Sequence, residues 1–417
     1  MRRLLKGLAV LAVLLAGAVT AVVIHRLQGE HDVKGSSTVE FVTSTQQAEP
    51  LPTNIAWPEY GFQDPRTRAV TLALRPPYRR VWTFRAGSLV EFPPAIGYGR
   101  LYFSTNSGTF YAVNAKTGKR AWKYVSGRCV AASPALGDQQ RGSVYAVFMN
   151  KPPCNRKNAR DGKVIAFAVG HGNIRWQRTI GVTESSPLLR GNRLYVADWD
   201  GRVWALDARS GRVIWKRKPA RAAIKGAIAY SDGRLYVGSY DGHLYCIGAQ
   251  KGRVLWKAKA QSRLYGRARF YSTPAVAYGR VYIGGTDGKV YSFGATSGKL
   301  RWSHSTGGYV YASPAVWNKL VLVGSYAKKF IALDAATGQI KWTFKTSSPI
   351  SGSATVIGNV VYFATLGGKT KGTTFALNAR TGKLLWSYPD GKYTPAVAEK
   401  GHFFLIGYAR IYGMVER

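Results

Sequence analysis

A tryptophan preceded four residues earlier by glycine occurs seven times in this chain, and no other feature restricts the fold as strongly. The pairs are Gly118/Trp122, Gly172/Trp176, Gly211/Trp215, Gly252/Trp256, Gly298/Trp302, Gly338/Trp342 and Gly382/Trp386. Ten residues before each tryptophan stands a small residue: Ala112, Ala166, Ala205, Cys246, Ser292, Ala332 or Ala376. The tryptophans are spaced by 54, 39, 41, 46, 40 and 44 residues. One structural unit is therefore used seven times, and a period of this length indicates a ring or array of repeats.

Each unit reads as four short antiparallel strands, A to D. In the sixth, alternating apolar residues run through Phe330-Ile331-Ala332-Leu333 to Asp334. Thr337-Gly338 then makes a turn before the strand that carries Trp342. An Asp or Asn bonding its own turn backbone, followed by a glycine free to take positive φ, marks a hairpin. A second hairpin precedes it, as in Arg234-Leu235-Tyr236-Val237 turning at Asp241-Gly242. Strand A is announced by Ser/Thr-Pro-Ala at Ser133, Thr273, Ser313 and Thr394. Four strands in roughly 40–45 residues are the mark of a propeller blade.

The pattern from Ala332 to Trp342 resembles the repeat of the pyrroloquinoline-quinone (PQQ)-like β-propeller family, over about residues 80–417. That family includes quinoprotein dehydrogenases and BamB-like outer-membrane assembly lipoproteins. The resemblance implies that the repeated tryptophans dock between neighbouring blades. It does not by itself imply a bound quinone, since a fold carries no function of its own.

An eighth tryptophan, Trp82, has Tyr78 where glycine is expected. Val81-Trp82-Thr83-Phe84 reads as a D strand without A to C. The C-terminus supplies the complement: Tyr393–Val397 as A, His402–Ile406 as B and Ile411–Met414 as C, with no tryptophan after them. The two ends are expected to share one blade and close an eight-bladed, all-β ring, leaving no sheet edge at the seam.

Ahead of the ring, residues 1–26 read as a membrane anchor. Arg2, Arg3 and Lys6 lead into an apolar run from Gly7 to Ile24, whose eighteen residues would rise roughly 27 Å as a helix, enough for a bilayer core. Ala16-Gly17-Ala18 also offers a cleavage site. The basic lead keeps the N-terminus inside. The expected location is thus the cytoplasmic membrane, single-pass, with the propeller outside the cytoplasm. Residues 27–75, polar and proline-containing, read as a stalk, with Trp57, Tyr60 and Phe62 able to pack on the propeller that occupies 76–417.

Chemistry is sparse. No phosphate loop, nucleophile elbow or metal-ligand spacing occurs. Quinoprotein dehydrogenases of this family use adjacent cysteines, calcium-binding Glu and Asn, and an Asp base, whereas the cysteines here are 129, 154 and 246. Glu91 and Glu184 precede A strands near a channel mouth and read as two exposed carboxylates. Cys129 and Cys154 flank loops on one face of blade 2, where an exported domain permits a disulfide; Cys246 fills a small-residue slot.

The formal net charge of +40 favours polyanionic partners. Arg156, Lys157 and Arg160 lie in the blade 2 insertion, Arg221 and Lys225 between blades 3 and 4, Arg263, Arg267 and Arg269 between blades 4 and 5, and Lys369 and Lys371 in blade 7. Together they define a rim suited to phosphate or carboxylate groups. Nucleic acid suits the charge but not an exported domain. Two functional readings follow. The first is a non-catalytic, membrane-tethered scaffold for an envelope protein or acidic envelope polymer, without a cofactor. The alternative is a quinoprotein-like oxidoreductase holding PQQ and calcium. A glycan- or lyase-type enzyme at the channel mouth has no residue set to support it.

Overall fold

The computed structural model describes residues 11–20, 22–23, 31–44, 50–138, 142–154, 160–261, 268–368 and 371–417. Among them the strands form eight sheets, each built on four antiparallel strands. In blade 6 these are Ala315–Trp317, Leu320–Ser325, Lys329–Asp334 and Ile340–Lys345, from A at the channel to D at the rim. Burial follows that order: strand A is mostly buried, and strand D alternates exposed and half-buried residues.

The turn chemistry expected from the repeat is present. The Asp334 carboxylate accepts from the backbone N–H groups of Ala336 and Thr337, both at 3.0 Å. A bulge follows the small residue ten places before each tryptophan and sets the two directly opposite, as Ala332 faces Trp342. The glycine has two reasons to be glycine. Gly338 has φ +76°, and a Cβ there would lie 2.8 Å from the ring of Trp302, the tryptophan of the preceding blade. That indole also donates to the Ala335 carbonyl at 2.9 Å. The same bond ties Trp82 to Ala115, Trp122 to Val169, Trp176 to Ala208, Trp215 to Ala249, Trp256 to Ala295 and Trp342 to Ala379. The tryptophan is thus a clasp from one blade onto the turn of the next.

The eighth blade closes the ring as expected. Strand Tyr78–Arg85 pairs antiparallel with Arg410–Glu416, which continues to His402–Ile406 and Ala396–Glu399.

The segment before Tyr78 follows the ring closely. Ser303 donates its N–H to the Val33 carbonyl at 3.0 Å, and buried Arg280 donates to the Glu40 and Ser36 carbonyls at 2.7 and 3.0 Å. Residues 33–42 thus strap blade 5. Residues 54–68 then pass along the inner strands of blades 1 to 7 in order. Carbonyls of Asn54, Pro58, Asp64, Pro65, Thr67 and Arg68 accept from N–H groups of Tyr98, Leu136, Tyr230, Val276, Val316 and Val356. In blade 3 the acceptor is the Glu59 carboxylate, 3.2 Å from Leu189 N. Inner strands otherwise have unpaired edges toward the channel, and this segment satisfies them. Trp57, Tyr60 and Phe62 pack on the ring rather than standing off as a stalk.

Residues 11–20 and 22–23 are helical and exposed. Among the described residues no helix is long and apolar enough to cross a membrane. The remainder of the expected span, 7–10, 21 and 24, lies outside the described residues, so the transmembrane helix expected from the sequence is not supported by the structure.

Candidate binding site at the channel mouth

The chain lying along the inner strands provides a floor. Tyr60 places its hydroxyl 3.0 Å from Ser353 Oγ. Behind it Arg66, fully buried, pairs with Glu59 at 3.0 Å and donates to the Ile228 and Pro187 carbonyls at 2.8 and 3.2 Å. Buried Arg68 stacks on the Tyr60 ring at 3.9 Å. Arg66 is stabilised by several neutral acceptors and one carboxylate, as a charge away from water requires.

Above the floor the D–A connections converge on the axis. Their Ser and Thr hydroxyls act between blades: Ala227 N donates to Thr273 Oγ1, Thr273 N to Ser313 Oγ and Ser313 N to Ser353 Oγ, at 2.8–2.9 Å. The hydroxyls of Thr273 and Ser313, which marked strand A in the sequence, are therefore part of a latch around the channel, continued by Ser353. The space enclosed is a cavity of about 230 Å³, walled by Glu91, Glu184, Lys225, Tyr271, Tyr326 and Tyr393 among others.

Glu91 and Glu184 are not two separate exposed carboxylates, as the sequence suggested; both line this cavity. Glu184, 8% exposed, accepts from Lys225 Nζ at 3.0 Å and from the Tyr271 hydroxyl at 3.2 Å. Burial, and then the charge of Glu184, push the Glu91 carboxyl up to about 7. Burial and the same two carboxylates hold the Tyr271 phenol well above its ordinary value, so it stays a donor. The cavity is thus close to neutral, with an ion pair, a readily protonated carboxyl, phenols and hydroxyls. It can accept a polar group by hydrogen bonding.

A group of tyrosines, of which Tyr271, Tyr311 and Tyr326 line the cavity, extends from it to exposed Tyr309. Tyr311 lies 5.3 Å from Tyr271, 5.9 Å from Tyr309 and 5.3 Å from Tyr326. Tyr240 lies 6.2 Å from Tyr271 and carries the Arg269 guanidinium 5.6 Å from its ring. The group was missed in the sequence because its members come from loops of blades 4, 5 and 6. Tyr309-Val310-Tyr311 was the available signal.

Five residues of the expected basic rim fall within the described residues. Arg160, Arg221, Arg269 and Lys371 are exposed. Lys225 is not free for an external anion: it turns inward to Glu184 and sits 3.8 Å from the Trp199 ring. Arg156, Lys157, Arg263, Arg267 and Lys369 lie outside the described residues. Cys129 and Cys154 form a disulfide, with Cα atoms 5.6 Å apart, joining two loops of blade 2 on this face. Cys246 is a buried free thiol opposite Trp256.

The residues do not fit PQQ with calcium. Glu184, the buried carboxylate of the cavity, is already neutralised by Lys225. Among the described residues no group of three or more His, Cys, Asp or Glu could hold a metal ion.

A closed ring of eight four-stranded blades clasped by tryptophan places this protein among the PQQ-like propellers. The chain belongs to the family described as outer membrane protein assembly factor BamB, whose model matches residues 78–197, 159–228, 199–312 and 286–402. A BamB of Nitrosomonas eutropha is 30% identical over 156 residues, 33% of this chain and 34% of that protein. A tetrathionate hydrolase of Acidithiobacillus ferrooxidans is 28% identical over 137 residues, 30% of this chain and 28% of the relative. The match thus spans about a third of these relatives. BamB from Moraxella catarrhalis superposes with a TM-score of 0.62 at 16% identity, covering 82% of this chain and 98% of that one. A quinohemoprotein alcohol dehydrogenase from Comamonas testosteroni does so with 0.69 at 15%, covering 86% and 80%. At such identities these structures show the fold alone.

Proposed function

We propose that this protein is a non-catalytic assembly scaffold of the cell envelope, held at the cytoplasmic membrane by its N-terminal segment with the propeller outside. It receives an envelope protein on the face of the D–A and B–C loops. The observation that carries this reading is the tyrosine group Tyr240, Tyr271, Tyr309, Tyr311 and Tyr326, with Tyr309 53% exposed and Arg269 stacked at its edge. Tyrosine and arginine are the residues that dominate protein-binding hot spots. The near-neutral cavity that Tyr271, Tyr311 and Tyr326 line offers a pocket for one polar side chain of the partner. Exposed Arg160, Arg221 and Lys371 favour an acidic complement and a salt-dependent encounter. Relatives named as outer membrane protein assembly factors support the same direction, as does a disulfide, which suits an oxidising compartment.

The test is affinity isolation of the tagged protein from solubilised envelopes, wild type against Tyr309→Ala combined with Arg269→Ala. A defined envelope protein is expected with the wild type, falling by roughly tenfold or more with the variant. Equal recovery of that protein would contradict the reading. Recovery of an acidic polymer alone would replace the protein partner by a polymer.

A further inference from the structure

The seam blade brings together three arginines that no carboxylate among the described residues pairs with. Arg80 and Arg85 lie on strand Tyr78–Arg85, and Arg410 opens strand Arg410–Glu416. In the pairing register Arg85 is directly opposite Arg410, and Thr83 is opposite Tyr412. Directly opposed residues share a face of the sheet, with Cβ atoms roughly 4.5–5.5 Å apart, and alternate residues of a strand share it too. These four, with Arg80 and Phe84, line an open groove of about 560 Å³.

All three arginines are exposed, and none has an ion-pair partner among the described residues. The carboxylate that Tyr412 touches is already engaged: Asp390 accepts from the Tyr412 hydroxyl at 2.7 Å and from Tyr408 N and Gly391 N at 2.9 and 2.8 Å. Like charges directly opposite each other destabilise a strand pair. Here the opposition falls on the pairing that joins strand Tyr78–Arg85 to the C-terminal strand Arg410–Glu416 and so closes the seam blade.

We infer that this groove is an oxyanion site that takes a phosphate group, and that the bound group ties the two ends of the ring. Guanidinium forks on facing strands suit the several oxygens of a phosphate. Thr83, on the same face as Arg85 and Arg410, supplies a hydroxyl. The phosphate belongs either to a small soluble ester or to a lipid headgroup.

Thermal unfolding of the whole protein is measured in chloride and in pyrophosphate at matched ionic strength, for wild type, Arg410→Thr, Arg410→Lys and the control Lys345→Thr. Lys345 opposes Lys329 at the corresponding place in blade 6. Pyrophosphate is expected to raise the wild-type and control midpoints but not that of Arg410→Thr. Without phosphate, Arg410→Thr is expected to unfold no lower than wild type, because the like-charge opposition is relieved. Arg410→Lys keeps the charge but loses the fork, and its apparent pyrophosphate affinity is expected to fall roughly tenfold. Co-sedimentation with phosphatidylglycerol vesicles separates the sources. Binding lost in Arg410→Thr assigns the site to a lipid headgroup, and a pyrophosphate response without vesicle binding assigns it to a soluble ester. Equal stabilisation of wild type and both Arg410 variants, or a response to neither probe, would overturn the assignment.

Discussion

Tyr78 stands edge-on to Trp386, with ring centroids 5.5 Å apart and planes at 87°. Trp386 is the clasp of blade 7, and on the seam blade it meets no glycine. Tyr78 occupies that place, stacks on Phe403 at 4.3 Å and meets the Tyr362 hydroxyl at 2.6 Å. The seam therefore closes with an aromatic cluster where every other junction closes with tryptophan over glycine. Replacing Tyr78 by glycine, the residue the repeat uses, is expected to weaken the fold by about 3–5 kcal/mol through the space left behind. Denaturant unfolding would measure it.

At an ordinary junction the opposite substitution does the damage. Gly338→Ala forces a side chain into positive φ and brings its Cβ to 2.8 Å from the Trp302 ring. A loss of about 2 kcal/mol or more is expected, whereas Gly99→Ala, with open space around it, keeps only the backbone part. The difference in denaturation midpoint between the two variants isolates the clasp.

The Cys129–Cys154 bridge closes a loop of 25 residues in sequence separation. Cys129→Ser with Cys154→Ser is expected to cost about 2–4 kcal/mol and to leave the strand content unchanged in circular dichroism. Thiol reductant added to the wild type should reproduce the shift and leave the double variant unmoved.

Glu91 gives the fold a pH dependence. Its carboxyl is raised from 4.5 to about 7 by burial and by Glu184. Between those values the folded chain holds a proton that the unfolded chain has released. This contribution to stability therefore falls as pH rises through the window and levels off above it. Glu91→Gln is expected to flatten that slope, read as melting temperature against pH. An unchanged slope would mean that Glu91 titrates as an exposed carboxylate.

The ring was legible in the sequence because each of its contacts is made eight times or nearly so. Glycine, tryptophan and the small residue opposite it recur, and Tyr78 stood out against that pattern. The passage of residues 54–68 along the channel was not legible. It is held largely by backbone carbonyls meeting backbone N–H groups, which write no side-chain pattern, and it happens once. Arg66 and Arg68 belong to the segment that read as a polar stalk, yet they are buried under Tyr60. The carboxylates misled for a related reason. Glu91 and Glu184 lie far apart in the chain, and only the convergence of the D–A loops brings both into one cavity and turns Lys225 inward. The disulfide was legible because both cysteines flank one blade's loops.

The most direct test of the scaffold reading is photo-crosslinking in living cells from position 309, with position 255 as reference. Leu255, as exposed as Tyr309 at 53%, lies on the outer strand of blade 4, away from the loop face. A discrete adduct with an envelope protein from position 309, and none from 255, is the expected result. No adduct from 309, or the same adducts from both positions, would contradict the assignment of that face as the place where a partner is received.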